Sequence, residues 1–321
     1  MNTPSQLFEK WENLNILVIG DVMMDVYLSG NVERISPEAP VPVVTIEKEE
    51  QRLGGAANVA LNISSLEANA SICSVIGDDA NGKILLQQLQ HAGISTEGIV
   101  HSGNRKTTVK TRVMSKNNQM IRFDREQTNE LNEDDENLLT GRIRKIISDK
   151  KIDAVIFEDY NKGVLTERVI REVIGLCREK NILTCVDPKK KNFFLYKDVT
   201  LFKPNLRELR EALNHDVKTF VEDLEKASDE LRNRLNHQIT FITLSEKGAF
   251  YDDGKKKEII PAHPRNISDV SGAGDTVIAV AALCLASKLS MEETAHWANI
   301  AGGLVCEYAG VVPLTKEMLL K

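Results

Sequence analysis

The chain has 321 residues, 42% hydrophobic and 27% charged, and a net charge of −6 from 41 Lys and Arg against 47 Asp and Glu. That is the composition of an ordinary soluble globular protein of one or two domains with ample core. The acidic balance argues against a nucleic-acid-binding surface, and no apolar run reaches membrane-spanning length.

Five cysteines, at 73, 177, 185, 284 and 306, form no Cys-x-x-Cys pair and mostly stand in apolar surroundings, as buried thiols of a reducing compartment do. The six histidines are scattered, which argues against a His/Cys metal site. The N-terminus lacks a basic segment followed by an apolar one, so it is no signal peptide, and a cytoplasmic location is expected.

Ile16–Ile19 reads as a short buried strand ending in Gly20-Asp21, with Asp25 close behind. Open α/β sheets bind ligands at such strand ends, so the two carboxylates suit sugar hydroxyls or plain loop solvation. Residues 31–50 carry prolines at 37, 40 and 42 beside a β-type run from Val43 to Ile46, and prolines belong at sheet edges. Residues 104–125 hold a second β-rich patch with a turn near Asn117-Asn118. The two patches predict one small sheet projecting from the main body, a lid.

Between them, Leu53-Gly54-Gly55-Ala56-Ala57-Asn58-Val59-Ala60 predicts a glycine turn opening a helix of small residues to about Ala68. Small side chains let a ligand, or another helix, come close, and Asn58 can donate and accept. After strand Ser71–Ile76, the run from Gly77 to Lys83 nearly spells a phosphate-binding P-loop. Ile84 has no hydroxyl for Mg²⁺, so an ordinary loop entering helix Lys83–His91 is predicted.

An acidic linker, 126–136, leads to a helix ending near Lys150. Strand and helix then alternate. Ala154–Phe157 ends in Glu158-Asp159-Tyr160-Asn161-Lys162-Gly163 and precedes helix Glu167–Lys180. Strand Ile182–Val186 ends in Asp187-Pro188-Lys189, where Lys189 is a candidate phosphate partner or a solvated loop residue. Thr200–Phe202 ends in Lys203-Pro204-Asn205, and helix Leu206–Leu213 carries Glu208. A helix at about 218–235 and strand Ile239–Leu244 lead into Ser245-Glu246-Lys247-Gly248. A hairpin, Ala249–Asp252 with Glu258–Ile260, precedes the 266–286 stretch, and helices at about 291–307 and 315–320 end the chain. Such alternation predicts an α/β fold around a parallel sheet with right-handed crossovers.

Residues 266–286 tighten into Ser271-Gly272-Ala273-Gly274-Asp275 and then run apolar to Ala286. A glycine turn opening a buried helix presents unpaired amides at a positive dipole end, where an anion can approach the backbone. Asp275 at that end can take a proton from a hydroxyl that attacks phosphorus, or can simply cap the helix. No G-x-G-x-x-G follows the first strand, so a nicotinamide dehydrogenase fits less well. A non-catalytic sugar or nucleotide sensor is the further alternative.

Asp269-Val270-Ser271-Gly272-Ala273-Gly274-Asp275-Thr276 resembles the C-terminal signature of ribokinase/PfkB-type sugar kinases. Gly54-Gly55-Ala56-Ala57-Asn58-Val59-Ala60 resembles their N-terminal signature, and Asn205 with Glu208 their N-x-x-E element. The order and spacing cover nearly the whole chain. The resemblance implies a ribokinase-like three-layer αβα sandwich around a mostly parallel sheet, with a β-sheet lid, and an ATP- and Mg²⁺-dependent carbohydrate kinase.

Finer features are similar to one branch of that family: Gly20-Asp21-Val22-Met23-Met24-Asp25, Arg34 to Val44, Gln119 to Asp124, and Asp159-Tyr160 with Lys162-Gly163. That branch phosphorylates the anomeric O1 of D-glycero-β-D-manno-heptose 7-phosphate, toward ADP-heptose and the lipopolysaccharide inner core. Glu158 and Asn161 stand where its Ser-Asp-Tyr-Ala-Lys-Gly form has Ser and Ala. Another sugar or sugar phosphate is the alternative substrate.

Carried onto this sequence, the resemblance makes Asp275 the base, with the amides of Gly272, Ala273 and Gly274 stabilising the transferring phosphoryl. Asp21, Asp25, Gly54, Gly55 and Asn58 hold the sugar. Lys110, Arg112, Arg122 and Lys162 are candidates for the substrate's phosphate, or ordinary surface charge. Lys189, Asn205, Thr243, Ser245 and Gly248 line the ATP phosphates, and Asn299 lies near adenine or ribose. Glu208 holds Mg²⁺ through water, and Asp269 begins a candidate K⁺ loop. A homodimer through the lid is implied. In that branch the kinase is often fused to an adenylyltransferase, and no two histidines here stand close enough for that domain's H-x-G-H motif, so a separate adenylyltransferase is expected.

Overall fold

A computed structural model describes residues 1–116 and 118–320. Helix α1 (Pro4–Trp11), not foreseen from the sequence, starts with a capping box between Thr3 and Gln6 and buries Leu7, Phe8 and Trp11. Strand β1 (Asn15–Gly20) enters the main sheet, and β2 (Val22–Ile35) leaves it at once for the lid. β3 (Pro42–Gly55) returns antiparallel to β2 and runs straight into α2 (Ala56–Ser65). The turn predicted at Leu53–Gly55 is therefore a strand end. β4 (Asn69–Gly77), α3 (Ala80–His91) and β5 (Ser95–Ser102) form one edge of the main sheet.

β6 (Thr108–Ser115) and β7 (Asn118–Arg125) complete the lid. The turn predicted at Asn117-Asn118 includes Asn117, which lies outside the described residues. α4 (Glu133–Asp149), β8 (Ala154–Glu158), α5 (Glu167–Glu179), β9 (Leu183–Asp187) and β10 (Leu201–Phe202) follow. Next come α6 (Leu206–Leu213), α7 (Val221–Leu235), β11 (Ile239–Thr243), β12 (Ala249–Asp252) and β13 (Lys257–Ile260). α8 (Ala273–Ala286), α9 (Met291–Val305) and α10 (Lys316–Leu320) close the described chain.

The nine strands of the main sheet run in the order β13-β12-β11-β10-β9-β8-β1-β4-β5. The seven from β11 to β5 are parallel, and the β12–β13 hairpin adds an antiparallel edge. The alternation of residues divides the core in two. Ile16, Val18, Ala154 and Ile156 face one layer, which α2, α8 and α9 cover. Leu17, Ile19, Val155 and Phe157 face the other, with α4, α5 and α7. Both faces are covered, which is why β1 and β8 are continuously buried. α8 is apolar all round because it lies inside one layer.

The lid is a separate four-stranded sheet in the order β3-β2-β6-β7. Register fixes its faces, since residues directly opposite on paired strands share one. Asp25, Lys110 and Asp124 form one cross-strand row and Tyr27, Arg112 and Arg122 the next. Leu28, Val113 and Ile121 lie on the other face. The lid thus has one charged face and one apolar face. Among the described residues, no helix is long and apolar enough to cross a membrane.

Candidate active site

β8 and β9, central strands of the main sheet, lie against α8, whose start stands near the residues that follow them, as expected where an open α/β sheet carries its chemistry. α8 begins after Gly272, whose φ of +80° is a left-handed conformation that favours glycine. No side chain among the described residues caps this start. Its first-turn amides therefore open onto a cleft of about 1460 Å³ that Gly272, Ala273, Gly274 and Asp275 help to line. The Ala273 amide itself donates to the Val270 carbonyl at 3.3 Å, so it is the least available of them.

Asp275 is only 3% exposed yet faces this cleft. Asn58 Nδ2 donates to its Oδ2 at 2.8 Å, and the Tyr160 hydroxyl donates to its Oδ1 at 2.8 Å. Burial pushes the Asp275 carboxyl up to about 6, against the pull of those two donors. A base poised there is ionised at neutral pH yet still proton-accepting.

The cleft also takes in Lys189, Asn205, Thr243, Ser245, Gly248 and Asn299, the predicted nucleotide-side residues. Asn205 caps α6, with Glu208 completing a capping box. Asn299 donates its side-chain amide to the Pro261 carbonyl at 2.8 Å. Glu208 is set back. Its Oε1 accepts from Lys189 Nζ at 2.6 Å and its Oε2 from the Asn205 amide at 2.9 Å. Lys189 also reaches Asp187 at 3.6 Å, and Lys203 pairs with Asp187 at 2.7 Å.

Burial alone would lower the Lys189 ammonium, but Asp187, Glu208 and Glu158 hold it well above the usual lysine range. Burial likewise opposes ionisation of Asp187, and the two lysines overcome it. Asp187 and Lys203 stand within 4 Å of where a Cβ on Gly274 would sit, so a lysine lies right at the anion-accepting turn. The sequence marks both residues as strand ends without giving either a role.

The sugar-side residues are more unevenly placed. Asp21 is 1% exposed, and its oxygens accept the backbone amides of Tyr160, Lys162 and Val164 at 2.8, 3.0 and 3.1 Å. It organises the loop after β8. Asp25 lies within strand β2 rather than in a loop, and pairs with Arg112. Gly54 gives it room, since a Cβ there would meet its Oδ2 at 2.2 Å. Gly55 has φ +58° and lies against the Asp21 carbonyl and the Tyr160 ring.

Lys110, Arg112 and Arg122 share the charged face of the lid, and Lys110 Nζ lies 5.2 Å from the centre of the Tyr160 ring. Arg122 pairs with Asp124 at 3.1 Å, and Lys162 with Glu126 at 2.7 Å. Arg112, Arg122 and Lys162 are thus all held by carboxylates, but Arg112 and Lys162 are only 14% and 15% exposed in their pairs while Arg122 is 49% exposed in its own, so Lys110 and Arg122 are the more available as phosphate donors.

Asp269 clasps two turns: its Oδ1 accepts from the Ser271 amide and its Oδ2 from the Gly310 amide, both at 2.9 Å. The near P-loop is an ordinary strand-to-helix turn, in which Asp79 caps α3 through the Gly82 amide at 2.8 Å. All five cysteines are buried free thiols.

Residues 13–317 match the description pfkB family carbohydrate kinase. The bifunctional protein HldE of Sulfurimonas denitrificans is 42% identical over 291 residues, covering 90% of this chain and 60% of that protein. The bifunctional protein HldE of Aliarcobacter butzleri is 39% identical over 304 residues, 94% of this chain and 63% of that one. The chain thus spans about three fifths of the length of these relatives. Two functions share one polypeptide in these relatives, whereas the sequence of this chain predicts the second enzyme on a separate chain.

Among solved structures, phosphofructokinase-2 from Escherichia coli in complex with potassium superposes with TM-score 0.78 at 20% identity, covering 96% of each chain. Arabidopsis thaliana ribokinase complexed with ribose and ATP gives 0.74 at 17%, covering 96% of this chain and 98% of that one. The fold is ribokinase-like. The chain belongs to the pfkB family of carbohydrate kinases, and its chemistry is ATP-dependent phosphorylation of a sugar.

Proposed function

We propose that this kinase phosphorylates the anomeric O1 of a heptose 7-phosphate, D-glycero-β-D-manno-heptose 7-phosphate, giving the 1,7-bisphosphate. The observation that carries the reading is Asp275 at the open start of α8, lining a nucleotide-sized cleft and bonded to Tyr160, whose ring centre lies 5.2 Å from Lys110 Nζ on the charged face of the lid. Asp275 takes the proton of the O1 hydroxyl as that oxygen attacks the γ-phosphorus. The bond from phosphorus to the β–γ bridging oxygen breaks and ADP leaves. The amides at the start of α8, with Lys189 and Lys203 beside them, balance the charge on the moving phosphoryl. Asp25 and Asn58 face the sugar, and Lys110 and Arg122 take its distal phosphate.

Mg²⁺ suits the donor set. Such ions are held by one or two carboxylates plus substrate phosphates and keep several waters, and Glu208, whose oxygens accept from Lys189 and the Asn205 amide, would act on the ion through water. When bound it neutralises phosphate charge. Asp269, with its two bonded turns, is the candidate for ordering a K⁺ loop. The apolar lid face, including the exposed Ile121 and Phe123, supports a homodimer through the lid. The second function of the bifunctional relatives, an adenylyltransferase in this reading, belongs to the part of their length that this chain does not match.

The test is coupled ADP release over a panel containing heptose 7-phosphate, fructose 6-phosphate, ribose and fructose. Preferred turnover of the heptose phosphate is expected. Robust turnover of a plain sugar with none of the heptose phosphate would remove the assignment.

A further inference from the structure

Tyr160 has no assigned role, yet it occupies the centre of the site. It lies just beyond β8 and lines the cleft. Its backbone amide is fixed by Asp21 at 2.8 Å, and its hydroxyl donates to Asp275 Oδ1 at 2.8 Å. Its ring lies near two cations, Lys110 from the lid and Lys189 from the nucleotide side, each with Nζ 5.2 Å from the centroid. Cations near an aromatic ring attract it electrostatically. Gly55 lies alongside the ring, where a Cβ would make an ordinary contact with Tyr160 Cδ2 at 3.5 Å.

Tyr196 shows what a structural tyrosine does nearby. It is wholly buried and donates to Asp159 at 2.7 Å, inside the opposite core layer.

We propose that Tyr160 is a positioning residue for Asp275: its hydroxyl keeps the carboxylate ionised and aimed, and its ring lets a lid lysine and a nucleotide-side lysine together fix that hydrogen bond. The proposal rests on the kinase reading above.

The physical need is clear from what surrounds Asp275. Glu158, at the end of β8, is wholly buried with neither carboxyl oxygen hydrogen-bonded among the described residues. Asp187, at the end of β9, is a second acid neighbour, and Lys189 opposes it from the following loop. Lys203, after β10, is bound to Asp187. A buried carboxylate near two other acids tends to take a proton, and donors to its own oxygens, together with nearby cations, oppose that. Asn58 from α2 supplies one donor and Tyr160 the other.

The experiment is Tyr160→Phe, read by the pH profile of kcat and by carbon-13 titration of the Asp275 carboxyl in the same full chain. The Asp275 midpoint should rise by roughly one pH unit, about a tenfold increase in proton affinity. Near pH 5 kcat should fall about tenfold, at neutral pH about twofold, and it should recover in alkaline buffer, while KM for ATP stays within about twofold. A midpoint and an acid limb that coincide with those of the unsubstituted protein would overturn the proposal.

Should the phenylalanine variant fail to fold, the chain is grown with fluorotyrosine, a stronger hydrogen-bond donor of nearly the same shape. A lower Asp275 midpoint is then expected, and an unmoved one overturns the proposal. If the unsubstituted protein phosphorylates no sugar in the panel, the kinase reading fails alone, because the carboxyl titration still decides the role of Tyr160.

Discussion

Asn58 and Asp275 are 217 residues apart in the chain and joined by a 2.8 Å hydrogen bond. Each stands in the first turn of a helix entered through glycine, α2 after Gly55 and α8 after Gly272. The bond ties the two glycine junctions of the family signature into one site. Gly272 is its weak point. A Cβ there would sit 2.9 Å from Asn58 Nδ2, and φ is +80°. Gly272→Ala should displace the Asn58 amide from Asp275 as well as strain the backbone by about 1–2 kcal/mol. We expect kcat to fall on the order of 10²-fold, as misplacement of a catalytic group does. A steady-state assay with a thermal melt checks it, and unchanged kcat in a folded variant would contradict this geometry.

Asp275→Asn keeps the shape and removes the basicity. Turnover should drop by about 10²–10⁴-fold, the usual contribution of a general base. Nucleotide binding should persist, because Lys189, Asn205 and Thr243 line the cleft independently of the carboxylate. Calorimetric titration with ATP alongside the turnover assay separates the two effects. Turnover at the level of the unsubstituted protein would exclude Asp275 as the base.

The pH dependence follows from the same carboxyl. Burial raises the Asp275 pKa to about 6, and only the ionised form accepts a proton. Activity should therefore be steady above neutrality and fall as pH drops through about 6. An unperturbed aspartate would place that fall about two pH units lower, near 3.9. The kcat–pH profile measures which applies, and a profile flat down to pH 5 rules out an Asp275 of raised pKa.

Much of this site is written locally in the sequence, and the rest is not. Helix Leu206–Leu213 matches its predicted bounds because Asn205 and Glu208, its capping box, are three residues apart. The start of α8 is equally legible, since glycines and an apolar run both announce it. β2 is not. Val22–Ile35 is one strand, but Asp21 just before it and Asp25 within it break the apolar pattern and suit sugar hydroxyls or loop solvation equally in the sequence. Asp25 faces Arg112, a partner 87 residues away that no local pattern reveals. Tyr160 and Lys203 share this property. Their roles come from Asp275 and Asp187, which crossovers of the parallel sheet bring to them.

The lid's charged face predicts a split between substrates. Lys110 and Arg122 lie on neighbouring rows of that face, and neither lines the nucleotide cleft itself. Replacing both, Lys110→Met with Arg122→Ala, should raise KM for a sugar phosphate by about 10²-fold, as expected from two lost charge-assisted hydrogen bonds of about 1.5 kcal/mol each. KM for ATP should change by less than about threefold. Initial-rate kinetics with each substrate varied in turn decides it. Equal effects on both would place the sugar's phosphate elsewhere.

Glu158 makes a prediction about stability instead of turnover. It is wholly buried, and both its oxygens lack partners among the described residues. Burial, then the charges of Asp187 and Asp275, push its carboxyl well above the ordinary glutamate range. The folded chain thus holds a proton that the unfolded chain releases near pH 4.5, so this group lowers stability progressively as pH rises above that value. Glu158→Gln has no such proton to hold. At pH 8 the variant should be the more stable, by on the order of 1 kcal/mol or more, about 2 °C in Tm for a chain of this size. Near pH 4 the advantage should vanish, because both states of the unsubstituted protein are then largely protonated at this position. Thermal melts of the two proteins across that range test the sign directly. A variant less stable at pH 8 than at pH 4, relative to the unsubstituted chain, would mean that Glu158 is ionised and held by a partner.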